Sequence, residues 1–322
     1  MALMLGFILA IITGLILIPI LKKLKAKQHV SQYIGERHLV KEGTPTIGGL
    51  IFIIPTIISL ILLYIKGSIE ISSNLIIVLF VFISYGLLGF LDDYKKIKEK
   101  NNKGLSISTK LIIQNFIALV FFYIFMNNGG ITTLRITTLG ISIPLGWTFG
   151  LFILFLLVGT SNAVNITDGL DGLAGGLCAL AFIAYGLITW NTGWMQGYAE
   201  VAIFCFILVG AILGFLMFNS HPAKVFMGDT GSMALGAALA TIAILTRHEL
   251  TLAIVGGVFV VEALSSIIQI IAIIKFKRKV FLMAPIHHHF EKLGWEETDI
   301  VKLFWTVGFL LAMGAITFGI WI

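Results

Sequence analysis

Charge is what this sequence lacks. Asp, Glu, Lys and Arg make up 12% of its 322 residues, where an ordinary soluble domain carries roughly 25%. Hydrophobic residues make up 58%, and the mean hydropathy is +1.02. A soluble fold of this size cannot hide so much apolar surface in one core, whereas a bilayer can act as its solvent. Cysteine is also scarce. Cys178 and Cys205 both lie inside apolar runs, which excludes a disulfide framework. Low-complexity tracts, long linkers, a second domain and the inverted repeats of many transporters are all missing. The net charge of +6 would suit a nucleic-acid partner, but the placement of the basic residues argues against one.

A membrane span needs about 20 mainly apolar residues. Ten such runs lie near 3–21, 47–65, 74–91, 109–126, 147–162, 172–190, 198–217, 231–246, 250–274 and 303–321. The pattern predicts a single all-α polytopic membrane domain over residues 1–322. No small-residue cleavage site follows the first run, so it is expected to be a retained span, not a signal peptide. Numbering the loops alternately leaves Lys66, Arg135 and Arg247 on one side and the other 19 of the 22 Lys and Arg on the opposite side. Basic loops stay in the cytoplasm. The loops near 22–46, 92–108, 162–172, 218–231 and 275–302 are therefore expected inside, and both termini outside. Between the fourth and fifth runs, ITTLRITTLGISIP (131–144) alternates with a period of two around a Gly, which predicts a small external β-hairpin.

The few acidic residues are placed at a cost. Asp92 and Asp93 end the third run in GFLDDYKK, beside Lys95 and Lys96. Hard carboxylate oxygens suit Mg²⁺, and ammonium groups suit phosphate. Solvated charges at a helix end are the plain alternative. A second patch, SNAVNITDGLDGLAGG (161–176), holds Asn162, Asn165, Asp168 and Asp171 among glycines and has no Lys or Arg. Glycines let a ligand approach the backbone; a helix cap by Asp171 is the alternative. The third patch, NSHPAKVFMGDTGS (219–232), puts Asp229 just ahead of a span, where a helix N-terminus favours anions. It lacks P-loop spacing.

The fourth patch is APIHHHFEKLGW. Three consecutive histidines do not suit one tetrahedral Zn²⁺, so contact with phosphate or substrate is the better reading, with one of them placed for acid–base work. Glu262, Ser265 and Gln269 share a helix face in the ninth run, and a buried Glu there should face protein or a polar cavity. All four patches fall on the side that the Lys and Arg residues mark as cytoplasmic. That convergence suggests Mg²⁺-dependent phosphoryl transfer between a soluble donor and a lipid acceptor.

GTPTIGG (43–49), FLDDYKK (90–96), NITDGLDGLA (165–174), NSHPAKVFMGDTGS (219–232) and PIHHHFEKLGW (285–295) closely resemble the polyprenyl-phosphate N-acetylhexosamine-1-phosphate transferases. The resemblance spans nearly the whole chain, and PIHHHFE and KEGTPTIGG are similar to the branch acting on muramoyl-pentapeptide. It implies UDP-N-acetylmuramoyl-pentapeptide as donor, undecaprenyl phosphate as acceptor, Mg²⁺ as cofactor, and a ten-helix homodimer in the bacterial inner membrane. It also implies that Asp229 binds the metal and that Asp92, Asp93 and His288 join it in catalysis. Lys96, Lys100 and Lys110 would hold phosphates. Gly169, Leu170, Asp171 and Phe226 would form the uridine pocket. Lys41, Thr46, Asn165, Asp168, Asn219, Gln269, His287 and His289 would line the rest of the cleft. A sister transferase using UDP-N-acetylglucosamine is the near alternative. A membrane transporter is the alternative of another class; it should carry its charges near the midplane and in repeats.

Overall fold

The computed structural model describes residues 1–24, 26, 43–99, 103–136, 139–190 and 197–321. It is an all-α polytopic membrane protein with one small sheet. The helices are α1 (Ala2–Lys23), α2 (Leu50–Ile65), α3 (Ser73–Glu99), α4 (Ile107–Asn127), α5 (Phe149–Thr167), α6 (Leu173–Trp190), α7 (Ala199–Asn219), α8 (Gly228–Leu245), α9 (Glu249–Val255), α10 (Gly257–Phe276), α11 (Ile286–Lys292) and α12 (Glu297–Trp321). Nine helices among the described residues are long and apolar enough to cross a membrane. The remaining expected span, 47–65, holds α2, which is apolar but has only 16 helical residues. At 1.5 Å per residue that is about 24 Å, short of a hydrocarbon core of about 30 Å.

The expected hairpin is present. Strand β1 (Thr133–Ile136) pairs antiparallel with β2 (Ile141–Pro144), in the register Thr133↔Pro144 to Ile136↔Ile141. Gly140 supplies a left-handed turn residue, φ +64°. The ninth expected run, 250–274, is two helices. Gly256, with φ −93° and ψ 19°, separates α9 from α10. Glycine's low helix propensity is the local reason.

Helix α8 is the axis of the fold. All of its residues from Asp229 to Leu245 are buried, against α3, α5 and α6. Its small side chains, GDTGSMALGAALA, let the neighbours come close. The tightest approach is at Gly89 of α3, where a Cβ would lie 2.1 Å from the carbonyl oxygen of Asp229. The end of α3 is thereby pressed onto the start of α8. Around this axis, α1 packs along α7, and α12 packs along α6. The outward faces of α1, α4 and α10 stay exposed and apolar, with Leu15, Phe116 and Ile270 among them, as lipid requires.

Candidate active site

Three helix ends meet at the Gly89 contact. Asp92 and Asp93, on the penultimate turns of α3, are 0% and 2% exposed. Lys96, one turn on, reaches Asp92 Oδ2 at 2.6 Å, Asp93 Oδ1 at 3.7 Å and Asp229 Oδ1 at 3.1 Å. Lys110, in the first turn of α4, reaches Asp92 Oδ1 at 3.1 Å and Asp229 Oδ2 at 2.8 Å. From α5, Asn165 Nδ2 donates to Asp229 Oδ1 (3.0 Å) and to Ser232 Oγ (2.8 Å). Asp92 Oδ1 also accepts the Leu105 N–H at 2.7 Å. Gly104, at φ +55°, makes room for this: a Cβ there would sit 2.6 Å from both Asp92 carboxylate oxygens. Three carboxylates thus face two ammonium groups in a partly buried cluster.

Asp93 differs from its neighbour. Its Oδ1 accepts the Asp229 N–H (3.2 Å), and its Oδ2 accepts the Thr230 N–H (2.9 Å) and the Thr230 hydroxyl (2.7 Å). Those amides are among the donors that an α-helix leaves free at its start, and a carboxylate there also meets the positive end of the helix dipole. Asp93 therefore caps α8 from α3. Asp229 stands in the first turn, where the sequence suggested a cap, but its side chain turns to the lysines and Asn165. Thr46 and Asp93 both lie against Gly228, which has φ +73°.

The cluster fits a hard divalent cation. Asp92, Asp93 and Asp229 can each offer an oxygen within 4.8 Å of the others. Among the described residues, buried Asp92 Oδ2 has no aligned hydrogen bond and lies beside the Lys96 ammonium. Carboxylate oxygens are the ligands Mg²⁺ prefers.

A second group forms around the turn between α5 and α6. Three amides of its tip have a side-chain or backbone partner. The Gly169 N–H donates to the Thr167 carbonyl (2.8 Å). The Asp171 N–H donates to Glu297 Oε1 at the start of α12 (2.6 Å), and the Gly172 N–H to Asn219 Oδ1 (3.1 Å). Asp171 Oδ2 accepts the Ala223 N–H at 3.0 Å and lies 3.2 Å from His221 Nδ1. Asp171, His221 and Glu297 thus form a second cluster with ligand atoms in mutual reach. Leu170 is buried at 3% exposure. Phe226 is half-buried. Asp168 ends α5 between the two clusters. Burial, then the nearby carboxylates of Asp229, Asp93 and Asp171, push its carboxyl up to about 8, against the opposing pull of Lys96.

The three histidines are held in three directions. His287 Nδ1 lies 3.0 Å from Glu262 Oε2, His288 Nδ1 lies 2.5 Å from Glu291 Oε2, and His289 Nδ1 accepts the Leu282 N–H at 3.1 Å. Gln269, expected in the cleft, instead braces the segment before α11. Its Oε1 accepts from Val280 and Phe281 N–H, and its Nε2 donates to the Phe281 carbonyl. Ser265 turns to the Glu262 carbonyl. Lys41 and Lys100 lie outside the described residues. Glu297, Glu291 and Gly104 carry contacts that the sequence reading did not single out. Only Gly104 had a signal, as a lone Gly between Lys103 and the Ser106 helix cap.

The family model of glycosyl transferase family 4 matches residues 75–247, which include the first three of the four patches. Among curated proteins, the chain is 48% identical over 322 residues to a phospho-N-acetylmuramoyl-pentapeptide-transferase of Geobacillus sp. (strain WCH70). That alignment covers 100% of this chain and 98% of the relative. The identically named proteins of Bacillus subtilis (strain 168) and Bacillus licheniformis are each 48% identical as well. The alignments cover 99% and 98% of this chain, and 97% and 96% of those relatives.

Proposed function

The chain belongs to glycosyl transferase family 4, and from that premise we propose that it transfers phospho-N-acetylmuramoyl-pentapeptide from UDP to undecaprenyl phosphate. The products are lipid I and UMP, and the reaction is a membrane step of peptidoglycan synthesis. The observation that carries this reading is the pair of lysines, Lys96 and Lys110, each bridging carboxylates of two helices. Such ammonium groups exchange carboxylate for phosphate oxygen at little cost in charge balance.

An oxygen of the acceptor phosphate attacks the phosphorus that carries the sugar. The bond from that phosphorus to the bridging oxygen breaks, and the electron pair leaves on UMP. Lys96 and Lys110 hold the phosphates of the two substrates in line, which removes much of the entropic cost of bringing them together. Asp92 orients the acceptor phosphate. Phe226 stacks on uracil, and Gly169 to Asp171 bracket the nucleoside. Asn165 holds Asp229 in place. Asp229, with Asp92 beside it, would hold Mg²⁺, which when bound neutralises diphosphate charge and makes UMP a better leaving group, while Asp93 fixes the start of α8 that carries Asp229. Lys41, Lys100 and Thr46 complete the phosphate and sugar contacts in this reading, with His288 and His289 at its edge. The 19-to-3 division of Lys and Arg supports a cytoplasmic site with both termini outside. The family resemblance supports a homodimer in a bacterial inner membrane.

The test is UMP release by purified protein. Release should require UDP-N-acetylmuramoyl-pentapeptide, undecaprenyl phosphate and Mg²⁺ together, with radiolabel passing into extractable lipid. Equal transfer from UDP-N-acetylglucosamine would move the assignment to the sister enzyme. Solute uptake into vesicles without UMP release would move it to a transporter.

A further inference from the structure

Glu262 is six residues into an apolar helix and is 0% exposed. A carboxylate in such a place needs a partner. The one the structure provides is His287, whose Nδ1 lies 3.0 Å from Glu262 Oε2 and whose side chain is 1% exposed. Ser265 and Ser266 both turn to the Glu262 carbonyl oxygen. The other nitrogen of the imidazole, Nε2, is buried and makes no hydrogen bond to any of the described residues. It rests on the turn between α5 and α6: a Cβ on Gly169 would lie 2.3 Å from it.

These contacts fix where the proton sits. With Glu262 ionised, an Nδ1 without a proton would set two lone pairs against each other at 3.0 Å. With a proton on Nε2, a buried donor would have no acceptor, which is a costlier orphan than an unused lone pair. The hydrogen bond at one imidazole nitrogen sets the role of the other. We propose that Glu262 is a positioning residue. It holds His287 with the proton on Nδ1, so that the Nε2 lone pair is presented at the Gly169 turn as an acceptor for the bound nucleotide-sugar. This rests on the reading of that turn as the nucleotide site.

The experiment uses the full chain, purified in detergent with ¹⁵N-labelled histidine. His287→Gln identifies the His287 signal among the seven histidines. Nitrogen shifts should show the Nδ1–H form at neutral pH in the unaltered protein. Glu262→Gln keeps an acceptor and should keep that form. Glu262→Leu removes the acceptor and should shift His287 toward the Nε2–H form. Removing one partner of a buried pair lowers stability, so turnover is measured below the melting transition of each variant. Turnover with UDP-N-acetylmuramoyl-pentapeptide should then fall about tenfold to a hundredfold for Leu, the range for losing an orienting partner, and stay near normal for Gln. An unchanged tautomer in all three proteins overturns the proposal. So does a shifted tautomer with unaltered turnover and substrate affinity. UMP titration of the unaltered protein separates the two readings: no UMP binding sinks the nucleotide site, whatever the tautomer does.

Discussion

Asp92 and Asp93 are adjacent, buried and alike, yet the structure divides their work, and replacing each with Asn tests that division. Asn has nearly the same shape, so neither change opens a cavity. Asp93 uses both oxygens to take three donors from the start of α8. Asn keeps one oxygen, and its amide nitrogen would face a donor already pointing at it. One or two hydrogen bonds to a charged group are lost, each worth about 1.5–3 kcal/mol, so a loss of about 2–4 kcal/mol is expected. At about 2–3 °C per kcal/mol for a chain of this size, Asp93→Asn should melt about 4–12 °C lower. Asp92→Asn keeps the Leu105 N–H on Oδ1, and both lysines stay on Asp229. Its melting shift should be less than half as large. Turnover should reverse the order. Measured below both transitions, Asp92→Asn should lose at least about a hundredfold, the scale of removing a preorganised electrostatic group. Asp93→Asn should stay within about tenfold of the unaltered enzyme on the same scale. Melting in detergent and UMP release decide it. Equal melting shifts, or a folded but equally inactive Asp93→Asn, would refute the division.

Four further outcomes are expected. Phe226→Ala should weaken UDP-sugar binding by about 1–3 kcal/mol, the scale of stacking a base on an aromatic ring; unaltered affinity by calorimetry would make Phe226 a packing residue only. Gly89→Ala should fail to give monodisperse protein on size exclusion, since its Cβ would meet backbone at 2.1 Å, and native behaviour would show that α3 and α8 can separate. Asp168 keeps its proton in the folded state up to about 8 but releases it near 3.8 when unfolded. Metal-free protein should therefore lose melting temperature as pH rises from about 5 to about 8 and level off above, and Asp168→Asn should flatten that slope; a slope unchanged by the substitution would contradict it. Tags on both termini should be labelled from outside the cell and tags near residues 100 and 285 only from inside; a cytoplasmic C-terminus would invert the topology.

The membrane class, the hairpin and most of the spans were legible because they depend on local pattern: run length for helices, and a period of two with a Gly for the hairpin. The meeting of Asp92, Asp229, Lys96 and Lys110 was legible as a shared membrane side, from charge asymmetry alone. What escaped depends on pairing across the chain. Nothing near Asp93 says that its partners are the amides of α8. Gln269 shares a helix face with Glu262, which suggested one job, but its amide finds backbone at Val280 and Phe281 while Glu262 finds His287. Glu297 stands at a helix start, where the dipole alone explains an acidic residue; its reach to the Asp171 amide depends on where α12 packs. The break at Gly256 was hidden because apolar residues continue on both sides of it.

The cap that Asp93 places on α8 joins residues 136 positions apart. The chain is made from its N-terminus, so α3 is complete well before α8 has been synthesised. Throughout that interval Asp93 is a carboxylate at a membrane boundary without its amides. The cation within reach on its own helix is Lys96, one turn away. The pair is loose in the finished protein, at 3.7 Å, yet during biogenesis it is a local means of keeping that helix end tolerable. A substitution at Lys96 should therefore be scored on membrane yield as well as on turnover, because the same ammonium group serves an unfinished chain before it serves a substrate.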